Sequence, residues 1–174
     1  MNLALASLGT PVIARVKRFA LAGGLGLMSA CHFVVAEDTA EFGTPEIDRG
    51  LFPMMIMASI FRNVPRRKGL ELILLGNRFS ASQALSMGLI NEAVPPEELD
   101  ARVQALAEEL AGKPPHAMRL GLEAFARQGD MALEEALPYL QDMLGKCFTT
   151  PDFQEGIQAF LQKRPPQWRA PQEE

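Results

Sequence analysis

Two short segments of the sequence contain residue types that could handle a polarised carbonyl group. The first is Ala22-Gly23-Gly24, which stands before an apolar run. Glycines let the backbone approach a ligand closely, and a helix that begins at such a turn has N–H groups without intrahelical acceptors. These groups carry partial positive charge and can stabilise an oxyanion that develops on a carbonyl. The same glycines also suit close packing of two elements, so the sequence leaves both interpretations open.

The second segment ends at Glu46, in the run Phe42-Gly43-Thr44-Pro45-Glu46. A carboxylate that follows a proline in an apolar neighbourhood can serve as a general acid or base, provided that it reaches the reacting proton. The alternative is a solvated glutamate in a surface loop. A glutamate in a sequence does not by itself show which alternative is right. The elements around the two segments must bring Gly23 and Glu46 together before they can act on one substrate.

A dinucleotide site has some support at the same place. Gly24-x-Gly26-x-x-Ser29 follows a predicted strand, and Glu46 lies at about the distance downstream where an acidic residue would bind a ribose. However, serine replaces the third glycine of that motif. Residues 17–22 also separate the strand from the turn, whereas the two should abut. The sequence therefore disfavours this interpretation.

Metal ligands and disulfides are not indicated by the sequence. It contains two cysteines, Cys31 and Cys147, and two histidines, His32 and His116, and no CxxC pair or ligand cluster can be formed from them. We therefore predict no metal site. Two widely separated cysteines fit a reducing compartment, and the prediction is a cytoplasmic protein.

The composition indicates a globular protein of ordinary domain size. The chain has 174 residues, of which 48% are hydrophobic and 22% charged, with a formal net charge of −4. This acidic balance gives no general attraction to nucleic acid. The longest uncharged stretch, residues 19–36, is at the lower length limit for a bilayer span and is rich in glycine. We interpret it as two buried elements joined end to end, and we predict no membrane association.

Local patterns place strands in the first third of the chain and helices in the rest. A capping box at Ser80 and Gln83, with Gly88 at the expected C′ position, bounds a short helix over 81–87. Thr150-Pro151 predicts an N-cap followed by proline at the first helical position. Strands are predicted at 11–16, 33–35 and 90–94, an extended piece at 41–45, and helices at 3–8, 67–75, 81–87, 97–111, 115–127, 131–147 and 151–163. These strands are too few for a good sheet of their own, so we expect something to pair with them.

Several segments together resemble the enoyl-CoA hydratase/isomerase (crotonase) superfamily. In the family's order and spacing they are PVIARV, ALAGGLGL, SAC, FVVA, FGTPEIDRGLFP, ELILLGNRFSASQALSMGLINEAVPPEEL and EGIQAFLQKRPPQW. The resemblance covers essentially the whole chain but only the later part of a typical family member. The family's N-terminal strands and its A-F-S-A-G-x-D-like loop have no counterpart here.

The resemblance implies an α/β, crotonase-like (ClpP/crotonase) fold with a spiral ββα core that is incomplete at the N-terminus. It also implies a C-terminal helical region. We accordingly expect a partial core over residues 1–95, with the strands, the glycine turn and the acid/base loop. A helical trimerisation region is expected over residues 96–174.

The resemblance also assigns roles to particular residues. Gly23 matches the middle glycine of the family's glycine triplet, whose backbone N–H forms one half of an oxyanion hole, and Gly24 follows it as a substrate contact. Glu46 matches the catalytic glutamate of the F-G-x-P-E pattern. The other N–H of the hole belongs to the N-terminal loop that has no counterpart. In two-glutamate hydratases a second glutamate stands where this sequence has Gly26.

Coenzyme A contacts are implied in two further places. Lys163, in Gln162-Lys163-Arg164, matches a C-terminal motif whose lysine approaches the phosphates of coenzyme A. Met54 and Met55 belong to an apolar run that replaces a glycine-rich stretch of many hydratases. That run is a candidate wall of an acyl pocket, because methionine adapts to irregular ligands. Its alternative is ordinary helix core.

Other departures from the family pattern lie beside the glycine turn. Lys17-Arg18 stands where the family usually has Asn-Gly, and His32 stands where it usually has aspartate. We interpret His32 as a core histidine whose hydrogen bonds are satisfied, and His116 as a surface residue.

The function implied by the resemblance is that of an acyl-CoA enzyme, either a hydratase or an isomerase of fatty acid metabolism. Gly23 would stabilise the oxyanion and Glu46 would move the proton. Coenzyme A is part of the substrate, and no separate cofactor is expected. Family members resemble each other in forming homotrimers or dimers of trimers. The alternative, favoured by Gly26 and the unmatched N-terminal segment, is an impaired remnant or a non-catalytic acyl-CoA-binding subunit.

Overall fold

The computed structural model describes residues 4–5 and 8–169 of the chain. Within these residues the strands are β1 Ile13–Val16, β2 Phe19–Leu21, β3 Phe33–Glu37, β4 Glu41–Gly43, β5 Phe79–Ser80 and β6 Glu92–Val94. The helices are α1 Gly23–Met28, α2 Met54–Asn63, α3 Arg66–Leu75, α4 Ala81–Ser86, α5 Leu99–Ala111, α6 Pro115–Gln128, α7 Leu133–Phe148 and α8 Pro151–Gln162. Short 3₁₀ turns occur at Ile47–Arg49 and Gln167–Arg169. These elements make a mixed α/β architecture.

The strands form two small sheets. In the first, the order is β1-β3-β6 and every pair is parallel. Its middle strand β3 reads Phe-Val-Val-Ala-Glu and is almost entirely buried, as expected for a parallel strand covered on both faces. In the second, β2 pairs in parallel with β4, and β4 pairs antiparallel with β5. The register of the second sheet places Leu21 opposite Gly43.

The chain divides into two compact units, which are described separately. The first unit contains the described residues 4–5 and 11–106, and the described residues 8–10 and 107–169 belong to the second. The core of the first unit is built on side chains without exposed surface, among them Leu25, Phe42, Ile60 and Ile73. The ring of Phe42 stacks on Phe79 with a centroid distance of 5.7 Å. Helices α1 to α4 therefore surround one continuous apolar core.

The second unit consists of helices. Its helices α6 and α8 are joined at their N-termini by Asp152, a buried carboxylate on α8. Its Oδ2 accepts hydrogen bonds from the backbone amides of His116 and Ala117 at 2.7 and 3.0 Å. Asp152 thus satisfies amides at the start of α6, where the helix itself provides no acceptors. No helix within residues 4–5 and 8–169 is long and apolar enough to span a bilayer.

Most local predictions are confirmed. The capping box is present, since Ser80 Oγ accepts from the Gln83 amide while Gln83 Oε1 accepts from the Ser80 amide. Gly88 has a φ of 74°, and Thr150 Oγ1 accepts from the Phe153 amide. In the predicted helix over 3–8, residues 4 and 5 are helical, whereas residues 3, 6 and 7 lie outside the described part of the chain.

Strands β2 and β5 were not predicted from the sequence. The uncharged stretch over 19–36 was predicted to hold two elements, and it holds three: strand β2, helix α1 and strand β3. A strand of three residues is too short to show an alternating pattern. The strand β2 exists because it pairs with β4, some twenty residues away. Because β2 ends at Leu21, the turn at Ala22-Gly23-Gly24 follows directly on the end of a strand.

Candidate functional site

The glycine turn begins helix α1 and leaves its amides accessible. Gly23 and Gly24 are exposed, and a Cβ added at either would meet no atom within 4 Å. The amide of Gly26 donates to the carbonyl of Ala22 at 3.1 Å, whereas those of Gly23 and Gly24 have no acceptor among the described residues. Close packing therefore does not explain these two glycines. Their free N–H groups can donate to an external acceptor.

Ala22, immediately before the turn, has an unusual backbone conformation. Its φ is 50° and its ψ is −125°, a region that residues with a Cβ rarely adopt. Such strain persists only where neighbouring structure over-determines it. Here the amide of Ala22 donates to the carbonyl of Gly43 at 2.9 Å, which continues the β2–β4 pairing by one step. This bond joins the glycine turn to the segment that carries Glu46.

Glu46 follows β4 and begins the 3₁₀ turn Ile47–Arg49. Its backbone carbonyl accepts hydrogen bonds from the amides of Arg49 and Leu51, each at 3.0 Å. Its side-chain atom Oε2 is buried and has no hydrogen-bond partner among the described residues. The loop backbone is therefore fixed while one carboxylate oxygen stays unsatisfied. A solvated loop glutamate would not have this arrangement, and an unpartnered buried carboxylate oxygen is the kind of group that can exchange a proton with a bound molecule.

A side chain at position 26, where the resemblance places a second glutamate, would clash with Ile56. Gly26 is buried, and a Cβ placed on it would lie 2.0 Å from Cγ2 and 2.7 Å from Cβ of Ile56. The side chain of Ile56, on α2, thus fills the space next to Gly26. The sequence showed that the acid was missing, but it gave no sign of Ile56, which is thirty residues away.

Met54 and Met55 lie in the first turn of α2. They are 63% and 83% exposed, whereas Ile56 and Ile60 of the same helix are buried. The alternative, ordinary helix core, therefore holds for Ile56 and Ile60 and in part for Met57 and Phe61, which are partly buried against that core. The two methionines offer apolar surface at the start of the helix, and their part in an acyl pocket stays a prediction.

Lys163 lies in the second unit, at the C-terminal end of α8. It is exposed and has a φ of 53°, so the chain turns sharply there. The next residue, Arg164, forms a bidentate ion pair with Glu155 at 2.6 and 3.0 Å. That pair fixes the backbone directly after Lys163. The predicted contact between the Lys163 ammonium group and coenzyme A stays a prediction.

The histidines have structural partners. Nδ1 of His32 accepts a hydrogen bond from the amide of Val12 at 3.0 Å, and burial lowers the pKa of His32. Nδ1 of His116 lies 2.9 Å from Oδ1 of Asp152. No cluster of three metal-ligating side chains occurs among the residues that the structure describes. The ring of each histidine therefore has a partner within the protein.

Nearly the whole chain resembles known proteins of one family. Residues 2–171 match a family model described as enoyl-CoA hydratase/isomerase. The chain is 36% identical over 165 residues to the probable enoyl-CoA hydratase echA8 of Mycobacterium bovis, covering 94% of this chain and 64% of that protein. It is 35% identical over 158 residues to the mitochondrial enoyl-CoA hydratase domain-containing protein 3 of Rattus norvegicus, covering 91% and 53%. The chain thus spans between about half and two thirds of the length of these relatives.

Solved structures confirm the predicted crotonase-like fold. A crystal structure of an enoyl-CoA hydratase from Mycobacterium smegmatis superposes with a TM-score of 0.93 at 34% identity, covering 97% of this chain and 66% of that one. The human enoyl coenzyme A hydratase domain-containing protein 3 superposes with a TM-score of 0.92 at 34% identity, covering 96% and 66%.

Proposed function

The chain belongs to the enoyl-CoA hydratase/isomerase family, and we propose that it acts on an acyl-CoA thioester with Gly23 as an oxyanion donor and Glu46 as the acid/base. The observation that carries this proposal is the buried, unpartnered Oε2 of Glu46, on a segment hydrogen-bonded to the glycine turn through Ala22 and Gly43. A free carboxylate oxygen and free backbone donors are the two components that proton transfer next to a thioester carbonyl requires.

In the proposed reaction the thioester oxygen accepts a hydrogen bond from the amide of Gly23. Glu46 removes a proton from a carbon of the acyl chain, and the electron pair moves toward that oxygen. Return of the proton to a different carbon shifts the double bond, which is isomerisation. For hydration, the same carboxylate would take a proton from a water whose oxygen adds to one carbon of the double bond, and would return that proton to the neighbouring carbon. A positioned acid/base contributes about 10²–10⁴ in rate, and one oxyanion donor about 10²–10³.

Binding and assembly form the second part of the proposal. Gly24, Met54, Met55 and Lys163 are proposed contacts of the acyl-CoA molecule, which supplies the only coenzyme involved. We also propose a homotrimer or dimer of trimers, formed through the C-terminal helices. The large apolar side chains that helix α8 leaves exposed support this, notably Phe160 and Leu161 at 80% and 72%. The two cysteines are unpaired, which supports the proposed cytoplasmic location.

A non-catalytic acyl-CoA-binding protein is the second candidate. The observation that favours it is the Gly26–Ile56 contact, which excludes a second carboxylate from the site. A protein of this kind would bind acyl-CoA without turning it over.

The test compares three proteins with crotonyl-CoA and with a 3-enoyl-CoA: the unaltered chain, Glu46→Gln, and Glu97→Gln. The control residue Glu97 is an exposed glutamate elsewhere in the first unit. We expect turnover that Glu46→Gln lowers by about 10²–10⁴ and that Glu97→Gln leaves unchanged. Calorimetric binding of acyl-CoA without turnover in any variant would establish the second candidate. Equal turnover in all three would remove Glu46 from the mechanism.

A further inference from the structure

Thr44, two residues before Glu46, has a hydroxyl group in the middle of the apolar core. The residue has no exposed surface, and its Oγ1 donates a hydrogen bond to the backbone carbonyl of Leu72 at 2.8 Å. Buried hydroxyl groups almost always find such a partner, so the bond by itself is unremarkable in kind. Its position is informative, because Leu72 belongs to helix α3 and Thr44 to the loop that carries the candidate acid.

The loop is held to the end of α3 on both sides of Glu46. Before it stands the Thr44–Leu72 hydrogen bond. After it, the side chain of Ile47 packs against Gly76, the residue that ends α3 with a φ of 64°. A Cβ on Gly76 would lie 2.7 Å from Cγ2 of Ile47, so the contact is close. The backbone on either side of Glu46 is therefore fixed to one helix.

This attachment matters because the Oε2 atom of Glu46 makes no hydrogen bond that would orient it. A carboxylate of a metal site or an ion pair is aimed by its partners. The direction of Glu46 depends instead on its backbone and on packing. A loss of one backbone anchor would therefore change where the carboxylate points, and a displacement of about 1 Å can cost about 10²-fold in rate.

We propose that Thr44 is a positioning residue for Glu46, acting through its hydrogen bond to the Leu72 carbonyl. The inference rests on the proposed function for its consequence in catalysis, although the anchoring itself does not. The Leu72 carbonyl also accepts from the amide of Gly76 at 3.3 Å. Removal of the Thr44 hydroxyl therefore leaves no buried acceptor without a donor, and a variant of the same shape should still fold.

The test uses Thr44→Val, which keeps the shape and removes the hydroxyl, and Thr44→Ser, which keeps the hydroxyl. Ser29→Ala is the matched control. Its buried Oγ donates to the Leu25 carbonyl, also at 2.8 Å and in the same unit. For each protein we would measure kcat and KM with crotonyl-CoA and with a 3-enoyl-CoA, the urea midpoint, and amide hydrogen exchange over residues 43–51.

We expect Thr44→Val to lower kcat by about 10- to 100-fold while KM changes less than about 3-fold. Exchange over 43–51 should become about 5-fold faster, the equilibrium change that corresponds to one net hydrogen bond. Thr44→Ser should restore both values. Ser29→Ala should lower the urea midpoint as Thr44→Val does, without changing kcat or exchange over 43–51.

Two results would overturn the inference. One is unchanged exchange over 43–51 in Thr44→Val, which would show that the hydroxyl does not anchor the loop. The other is an equal loss of kcat in Ser29→Ala, which would show a general effect of destabilisation. If the unaltered chain has no turnover at all, the proposed function fails, and the exchange measurement still decides whether Thr44 anchors the Glu46 segment.

Discussion

The side chain of Ile56 occupies the space into which a side chain at position 26 would project. A Cβ on Gly26 would lie 2.0 Å from Cγ2 of Ile56, far inside the contact distance of two carbon atoms. Gly26 thus allows α1 and α2 to meet with backbone against side chain. This contact keeps a carboxylate side chain from position 26, because any larger residue there must first displace the side chain of Ile56.

Gly26→Ala should therefore lower the free energy of unfolding by about 1–3 kcal/mol, the usual cost of overpacking a core. Ile56→Ala alone should cost about 2–5 kcal/mol, because it opens a cavity. The double variant should lose less than the sum by about 1 kcal/mol or more, because each change relieves the other. Urea unfolding of the four proteins measures this coupling. Gly23→Ala is the control: its Cβ meets nothing within 4 Å, and stability should hold.

Ala22 provides a second test, of backbone strain. Its φ of 50° with a ψ of −125° suits glycine, so Ala22→Gly should raise the free energy of unfolding by about 1 kcal/mol. The matched control is Ala58→Gly in helix α2, where an exposed helical alanine is well placed and the change should cost about 0.5–1 kcal/mol. Opposite signs in urea unfolding are expected. Destabilisation in both variants would show that Ala22 is not strained.

His32 should make stability depend on pH above the range of the carboxylates. Burial lowers its pKa below the ordinary 6.5, so the unfolded chain takes up the proton first as the pH falls. The folded state accordingly loses stability as the pH drops from about 6.5 toward the lowered pKa. Protonation also removes the acceptor for the Val12 amide. Thermal unfolding should show a lower Tm at pH 5.5 than at pH 7.5.

His32→Asn separates this effect from other titrations, since an amide oxygen can accept from Val12 and does not titrate. The fall in Tm between the two pH values should be smaller in this variant, and an equal fall would contradict the role of His32.

Asp152 affects stability in a different pH range. Burial opposes the lowering of its pKa, but the hydrogen bonds from Ala117 and His116 outweigh it and hold the pKa below 3.8. Its contribution is lost only in that more acid range.

The exposed apolar end of α8 should mediate the proposed assembly. Phe160→Gln with Leu161→Gln should shift the mass found by light scattering from about three chains, or a multiple of three, toward one. Burial of each such side chain contributes about 1.5–3 kcal/mol. Leu74→Gln with Leu75→Gln on α3, about half exposed, is the control and should leave the mass unchanged. A monodisperse monomer formed by the unaltered chain would contradict the assembly.

The features that the sequence determined are those made within a few residues. The capping box of Ser80 and Gln83 and the N-cap at Thr150 could be predicted because each hydrogen bond joins residues three positions apart. Both are confirmed. The family, and with it the fold, also followed from the order of short motifs. Gly23 and Glu46 became candidates through their local contexts and the resemblance, and their roles stay predictions. None of these predictions required knowledge of a distant partner.

Tertiary structure alone decided what surrounds those residues. The strand β2 has three residues and is defined by pairing with β4. The Thr44 hydroxyl meets a carbonyl twenty-eight positions away, and Ile56 fills the space at Gly26. The burial of Glu46 Oε2 likewise depends on the packing around it. Burial, pairing and space are set by contacts between segments far apart in the chain, and a local residue pattern contains no information on which segments will meet.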